Sequence, residues 1–153
     1  MGTDGTTQPN TGNETTPQEI TRLVRDLLEA WNAHDVERIK TFYAPDYEGV
    51  DVGQAKPQSG PQGVARLVKR YLQAFPNLYF VAEDVVVQGN RAVLVWTAHA
   101  THWGELIRIP PTGRDIAVRG ASVLTLENGK VSRGLYIWDV AALLRSIGLL
   151  PEL

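Results

Sequence analysis

The chain contains no cysteine, which excludes disulfides, thiolate metal ligands and a cysteine nucleophile and leaves a reducing compartment, the cytoplasm, as the expected location. Histidine is scarce, at three residues. Two of them, His99 and His102, are three apart, so on a regular strand they face opposite sides and cannot share a metal; neither a metal nor another cofactor is expected. Basic clusters are missing and the formal net charge is -2, so there is no electrostatic footprint for nucleic acid or an anionic membrane. No stretch of about eighteen apolar residues is present to span a bilayer, and no internal repeat is found. Met1 to Thr15 hold almost no apolar side chain and cannot offset the entropy of ordering, so residues 1–15 read as a mobile tail.

What remains, residues 16–153, reads as one globular domain, and 43% hydrophobic residues are enough for a core and a cavity. Thr16-Pro17-Gln18-Glu19 is a capping box with proline at the start of a helix. Ile20, Leu23, Val24, Leu27, Leu28 and Trp31 then recur at helical spacing, until Asn32-Ala33-His34 breaks the pattern. From Asp35 a second short helix is expected to carry Val36, Ile39, Phe42 and Tyr43 inward and to stop at Pro45. Asp46 to Gly60 is polar and turn-prone, which suggests an irregular rim or a short edge strand. Gly60-Pro61 opens a third helix with Val64, Leu67, Val68, Tyr71, Leu72 and Phe75 as its stripe, closed by Pro76-Asn77.

Beyond Pro76 the period becomes extended, and four strands are predicted: Leu78 to Gln88, Arg91 to Trp103, Asp115 to Leu126 and Lys130 to Trp138. Gly89-Asn90 and Asn128-Gly129 are two-residue hairpin turns, so neighbouring strands run antiparallel. Asp139 can cap a short helix, Val140 to Ile147, ended by Gly148. The predicted order α-α-α-β-β-β-β-α is an α+β fold, a cone-shaped barrel whose strongly curved, mainly antiparallel sheet wraps around the N-terminal helices, with a short C-terminal helix. Gly120, Ser122 and Leu124 share one face of a strand, and Ser132, Gly134, Tyr136 and Trp138 one face of the next. Small and polar residues beside aromatics suggest a lined hollow.

Ala30-Trp31-Asn32-Ala33-His34-Asp35, Pro45-Asp46-Tyr47, Thr101-His102-Trp103-Gly104, Ile109-Pro110-Pro111-Thr112-Gly113-Arg114, Asn128-Gly129-Lys130, Trp138-Asp139 and Leu143-Leu144-Arg145-Ser146-Ile147-Gly148 together resemble the SnoaL-like polyketide cyclases of the nuclear transport factor 2-like superfamily. The resemblance spans roughly residues 19–151 and implies a cone of sheet and helices around a ligand pocket. It also implies a homodimer, with the outer face of the sheet covered by a second copy. In that family an aspartate acts as acid and base in an intramolecular aldol closure; its position here is Tyr136. A family histidine on the preceding strand falls on Ser122, and a third position, the histidine of Thr-His-x-Gly, stands as His102. Two of the three positions thus carry other residues.

Ring closure beside a carbonyl needs a base for a carbon-bound proton and a donor for the enolate oxygen. Tyrosine, titrating near pH 10, suits the donor, and Tyr136 takes that role. His102 is the candidate proton carrier, with Asp139 or Glu105 to orient or replace it. Trp31, Tyr43, Tyr47, Tyr71, Phe75, Trp96, Ser122 and Trp138 are the expected ligand-binding residues. Three activities fit: a cofactor-independent cyclase or isomerase acting on a hydrophobic, polyketide-like molecule, a noncatalytic carrier of such a molecule, and an epoxide-opening enzyme that uses an inward carboxylate.

Overall fold

The computed structural model describes residues 15–153; the expected mobile tail therefore lies, but for Thr15, outside the described residues. Helix α1, Pro17–Asn32, starts at the capping box as expected: Thr16 accepts from the Glu19 N–H and the Glu19 carboxylate accepts from the Thr16 N–H, both at 3.2 Å. It ends where His34 turns into the left-handed region at φ 55°. Helix α2, Val36–Lys40, is shorter than predicted. Phe42 and Tyr43 leave it because sheet pairing claims them: the Phe42 carbonyl accepts from the Val131 N–H at 2.8 Å, and Tyr43 begins a strand.

That strand, β1 (Tyr43–Asp51), runs through Pro45 with a shift of register between Tyr43 and Glu48 and takes up the first part of the expected rim or short edge strand. It is followed by the two-residue β2 (Gln58–Ser59) and by α3 (Gly60–Ala74). Then come β3 (Tyr79–Gln88), β4 (Arg91–Thr101), β5 (Asp115–Glu127), β6 (Lys130–Trp138) and α4 (Val140–Ser146). The observed order among the described residues is thus α-α-β-β-α-β-β-β-β-α, with six strands in one sheet where four were expected. The sheet order is β2-β1-β6-β5-β4-β3, curved but open, so the α+β architecture holds while the barrel does not close.

Pairing is antiparallel except between β1 and β6, which run parallel. Parallel neighbours need a long crossover, and here nearly the whole chain between them supplies it. Both hairpins have two-residue turns. Asn128 and Gly129 each take positive φ, as Asn-Gly should, whereas in the other turn only Gly89 does. At the β3 edge Asn32 acts as a substitute strand, donating to the Phe80 carbonyl at 2.9 Å and accepting from the Phe80 N–H at 2.7 Å. An unpaired edge invites association, and this contact covers part of it.

The concave face of the sheet carries the core together with α1 and α3. Ile20, Val24 and Leu27 from α1 and Val64 and Val68 from α3 pack against Leu94, Trp96, Leu124 and Val131. On the other face Val50, Val86, Leu135 and Ile137 are exposed. None of the helices among the described residues is long and apolar enough to cross a membrane.

Candidate active chamber

Between the concave sheet and the helices lies a chamber of about 120 Å³, room for several water molecules or part of a small ligand. Its lining is almost entirely apolar or aromatic, and all eight expected ligand-binding residues, from Trp31 to Trp138, stand in it. Tyr136 also lines it. His102 and Asp139 do not.

The polar groups concentrate on the wall formed by β1 and β6. Along β1, Tyr47, Gly49 and Asp51 alternate inward, while Glu48 and Val50 point out. Gly49 is the register partner of Gly134, and Asp51 of Tyr136. The paired glycines form a trough. A methyl group on Gly134 would lie 2.6 Å from the Tyr47 hydroxyl and 2.8 Å from that of Tyr136, and one on Gly49 would collide with Tyr47. The missing side chains therefore let two phenol rings lie across the strands, where their hydroxyls meet.

Tyr136 Oη is 3.1 Å from Tyr47 Oη and 3.5 Å from Tyr43 Oη. These two contacts use at most two of the three hydroxyl protons, which leaves one for a ligand oxygen. Burial pushes all three phenols above their ordinary range, well above for Tyr136. They stay protonated at neutral pH and act as donors, not bases.

Among the described residues Asp51 is the one charged residue in the lining, and it is only 5% exposed. A buried carboxylate must be compensated. Its Oδ1 accepts from the Gly53 N–H at 2.7 Å and from the Trp138 indole at 2.8 Å, and its Oδ2 from the Tyr71 hydroxyl at 2.8 Å. A carboxylate offers about four acceptor sites, so one remains open on Oδ2. Burial, then the Asp51 charge, raises Tyr71 above its ordinary range as well. Sequence reading missed Asp51 because a polar residue in a polar stretch is expected to be solvated. The signal was present in the Tyr47, Gly49, Asp51 alternation, legible only once residues 46–51 are known to be a strand.

Two further lining residues make polar contacts. Ser122, at the family's histidine position, accepts from the Trp96 indole at 3.0 Å, which fixes that ring as chamber wall. Gln58 donates to the Lys56 carbonyl at 2.8 Å and buries its Oε1 without a hydrogen-bond partner among the described residues.

The Thr-His-Trp-Gly segment has a different setting. Gly104 approaches α3 so closely that a methyl group there would collide with the Gln73 carbonyl. The Trp103 and Gly104 N–H groups both donate to the Ala74 carbonyl, at 3.1 and 3.0 Å, and cap that helix end. His102 is fully buried. Its Nδ1 lies 2.9 Å from Thr112 Oγ1 and accepts from the Thr112 N–H at 3.3 Å, which assigns the ring proton to Nε2. Nε2 has no partner among the described residues. The imidazole packs on Phe75, centroids 5.7 Å apart, and so stands one side chain removed from the chamber. Asp139 is exposed and caps α4 through the Ala142 N–H at 2.8 Å, and Glu105 is exposed. The inward carboxylate is Asp51.

Residues 21–147 match the family model of the SnoaL-like polyketide cyclases. Solved structures share the fold. AclR of Streptomyces galilaeus, a proposed hydroxylase, superposes with a TM-score of 0.81 at 26% identity, covering 90% of each chain. TsrD of Streptomyces laurentii gives 0.80 at 23%, over 88% of this chain and 98% of that one. IdmH of Streptomyces antibioticus, a proposed polyketide cyclase, gives 0.74 at 23%, over 84% and 97%. No curated protein is a significant match.

Proposed function

The chain belongs to the SnoaL-like polyketide cyclase family, and within it we propose a cofactor-independent cyclase or isomerase of an uncharged, flat, carbonyl-bearing molecule, with Asp51 as its base. The observation that carries this reading is a buried carboxylate with one open acceptor site, beside a tyrosine cluster with one unused proton, in an otherwise apolar chamber. Asp51 Oδ2 removes a proton from the carbon next to the substrate carbonyl. The developing enolate oxygen is held by the spare hydroxyl proton of the Tyr43, Tyr47 and Tyr136 cluster. Return of the proton to a different carbon moves a double bond; attack of the enolate carbon on a second carbonyl closes a ring, and the alkoxide so formed takes the proton back from Asp51.

Among the described residues the lining contains no lysine, arginine or histidine, so an anionic substrate would bring its charge next to Asp51 without compensation. Gln58 Oε1 offers an acceptor to a substrate hydroxyl. The exposed row Val50, Leu135 and Val86 on the outer face supports the expected homodimer, which light scattering would report as twice the chain mass.

Turnover of a panel of β,γ-unsaturated ketones and poly-β-keto esters tests the reading. Asp51→Asn should lower turnover about a thousandfold, and His102→Gln should stay within about threefold of wild type; the opposite pattern would return the proton to His102. A second reading, opening of an epoxide by water held on Asp51, uses the same open Oδ2 site. Incorporation of oxygen-18 from labelled water into the product would select it.

A further inference from the structure

Asp51 is connected to the molecular surface by a chain of side chains whose direction is fixed by chemistry alone. Arg70, exposed on α3, reaches the Gln54 side-chain oxygen. A guanidinium can only donate, so the amide must turn Oε1 toward it and Nε2 toward the other side. There Nε2 meets the Tyr71 hydroxyl at 3.2 Å. Since that oxygen receives a proton from Gln54, the Tyr71 proton is free to point to Asp51 Oδ2, 2.8 Å away. Every link donates toward the carboxylate, and such series polarise one another.

We propose that Gln54 and Tyr71 are positioning residues that hold Asp51 as an oriented carboxylate through a one-way relay anchored on Arg70. Their catalytic consequence rests on the reading of Asp51 as base; the relay itself does not. The Tyr71 donor holds one lone pair of Oδ2 and thereby directs the remaining one. The Gly53 and Trp138 donors hold Oδ1, so the relay governs the oxygen that keeps an unfilled acceptor site. The segment 52–57 between β1 and β2 is thus a support for the base, although no residue of it except Gln54 enters the relay.

Gln54→Glu tests direction against mere cohesion. The carboxylate keeps the contact with Arg70 and adds an ion pair, but it cannot donate to Tyr71, whose proton then turns from Asp51 to Glu. If the segment only ties β1 to α3, this variant should be as stable and as active as wild type. The relay instead requires an unchanged or higher melting temperature together with about a tenfold loss of kcat at near-constant KM, the size expected for one hydrogen bond to a charged group. Tyr71→Phe should give the same loss. Wild-type kcat in Gln54→Glu, in a protein whose turnover is lost in Asp51→Asn, would overturn the relay.

The Trp138 indole N–H, which donates to Asp51 Oδ1, supplies a readout without substrate. Its proton–nitrogen NMR signal should shift in both variants while that of the exposed Trp103 stays fixed; an unmoved Trp138 signal would overturn the relay. If Trp138 shifts but Asp51→Asn retains full turnover, the relay stands and the assignment of the base falls.

Discussion

Two buried titratable residues, Asp51 and His102, occupy corners of the same domain and could hardly be held more differently. Asp51 is held by three donors, from α3, β6 and the segment after β1, keeps one acceptor site unfilled and lines the chamber. The His102 ring is hydrogen-bonded to Thr112, points its other nitrogen at no partner among the described residues, and lies outside the lining. The histidine belongs to a segment whose backbone caps α3 and whose glycine permits close approach to that helix. The lesson is about where constraint comes from. A recurrent motif can mark a packing junction, while the carboxylate proposed as the base is held across the parallel β1 and β6 pair by residues far apart in the chain.

The difference can be broken at several points. The largest effect beyond loss of Asp51 itself should come from filling the trough: Gly134→Ala forces the Tyr47 and Tyr136 hydroxyls off their positions. Turnover should fall about a hundredfold and stability by about 1–3 kcal/mol, as for other overpacked sites. Denaturant unfolding and initial rates check both values, and unaltered rates would show that the tyrosine cluster does not touch the reaction.

His102→Ala is expected to do the reverse, with stability lower by about 2–4 kcal/mol from a cavity and the orphaned Thr112 N–H but turnover little changed. Loss of turnover without loss of stability would move the chemistry back to that corner.

The contrast between these predictions tracks what was legible in the sequence. Helices α1 and α3, both hairpins and the strands after Pro76 were readable because their apolar periods, caps and turn residues are local. Part of the lining was readable for the same reason, since Trp96, Ser122, Tyr136 and Trp138 lie on strands of known phase. Strand β1 was not. Pro45 and Asp46 argue for a loop, and its inward face of Tyr47, Gly49 and Asp51 inverts the usual apolar pattern, with Val50 outside. Only pairing with β6, more than eighty residues later, turns those residues into a strand and Asp51 into a chamber residue.

A smaller effect separates the tyrosine wall from the rest of the protein by pH. The hydroxyls of Tyr43, Tyr47, Tyr71 and Tyr136 have their folded values raised. The unfolded chain therefore loses those protons first, at about pH 10. Their contribution to stability is complete below pH 10 and is lost progressively as pH rises from there through the folded values. Thermal melts between pH 9 and about 12 should show this decline, and Tyr136→Phe should flatten it. An identical slope in that variant would remove the tyrosine wall as its cause.

The most direct test is a crystal structure with 2-naphthol, a flat uncharged ligand whose oxygen stands for that of an enolate. Its oxygen should lie within hydrogen-bonding distance of the Tyr47 and Tyr136 hydroxyls, with the adjacent ring carbon facing Asp51 Oδ2. A naphthol whose oxygen points instead toward Phe75 and His102, or a chamber that excludes it while the protein remains folded, would contradict the assignment of the β1 and β6 wall as the reactive surface.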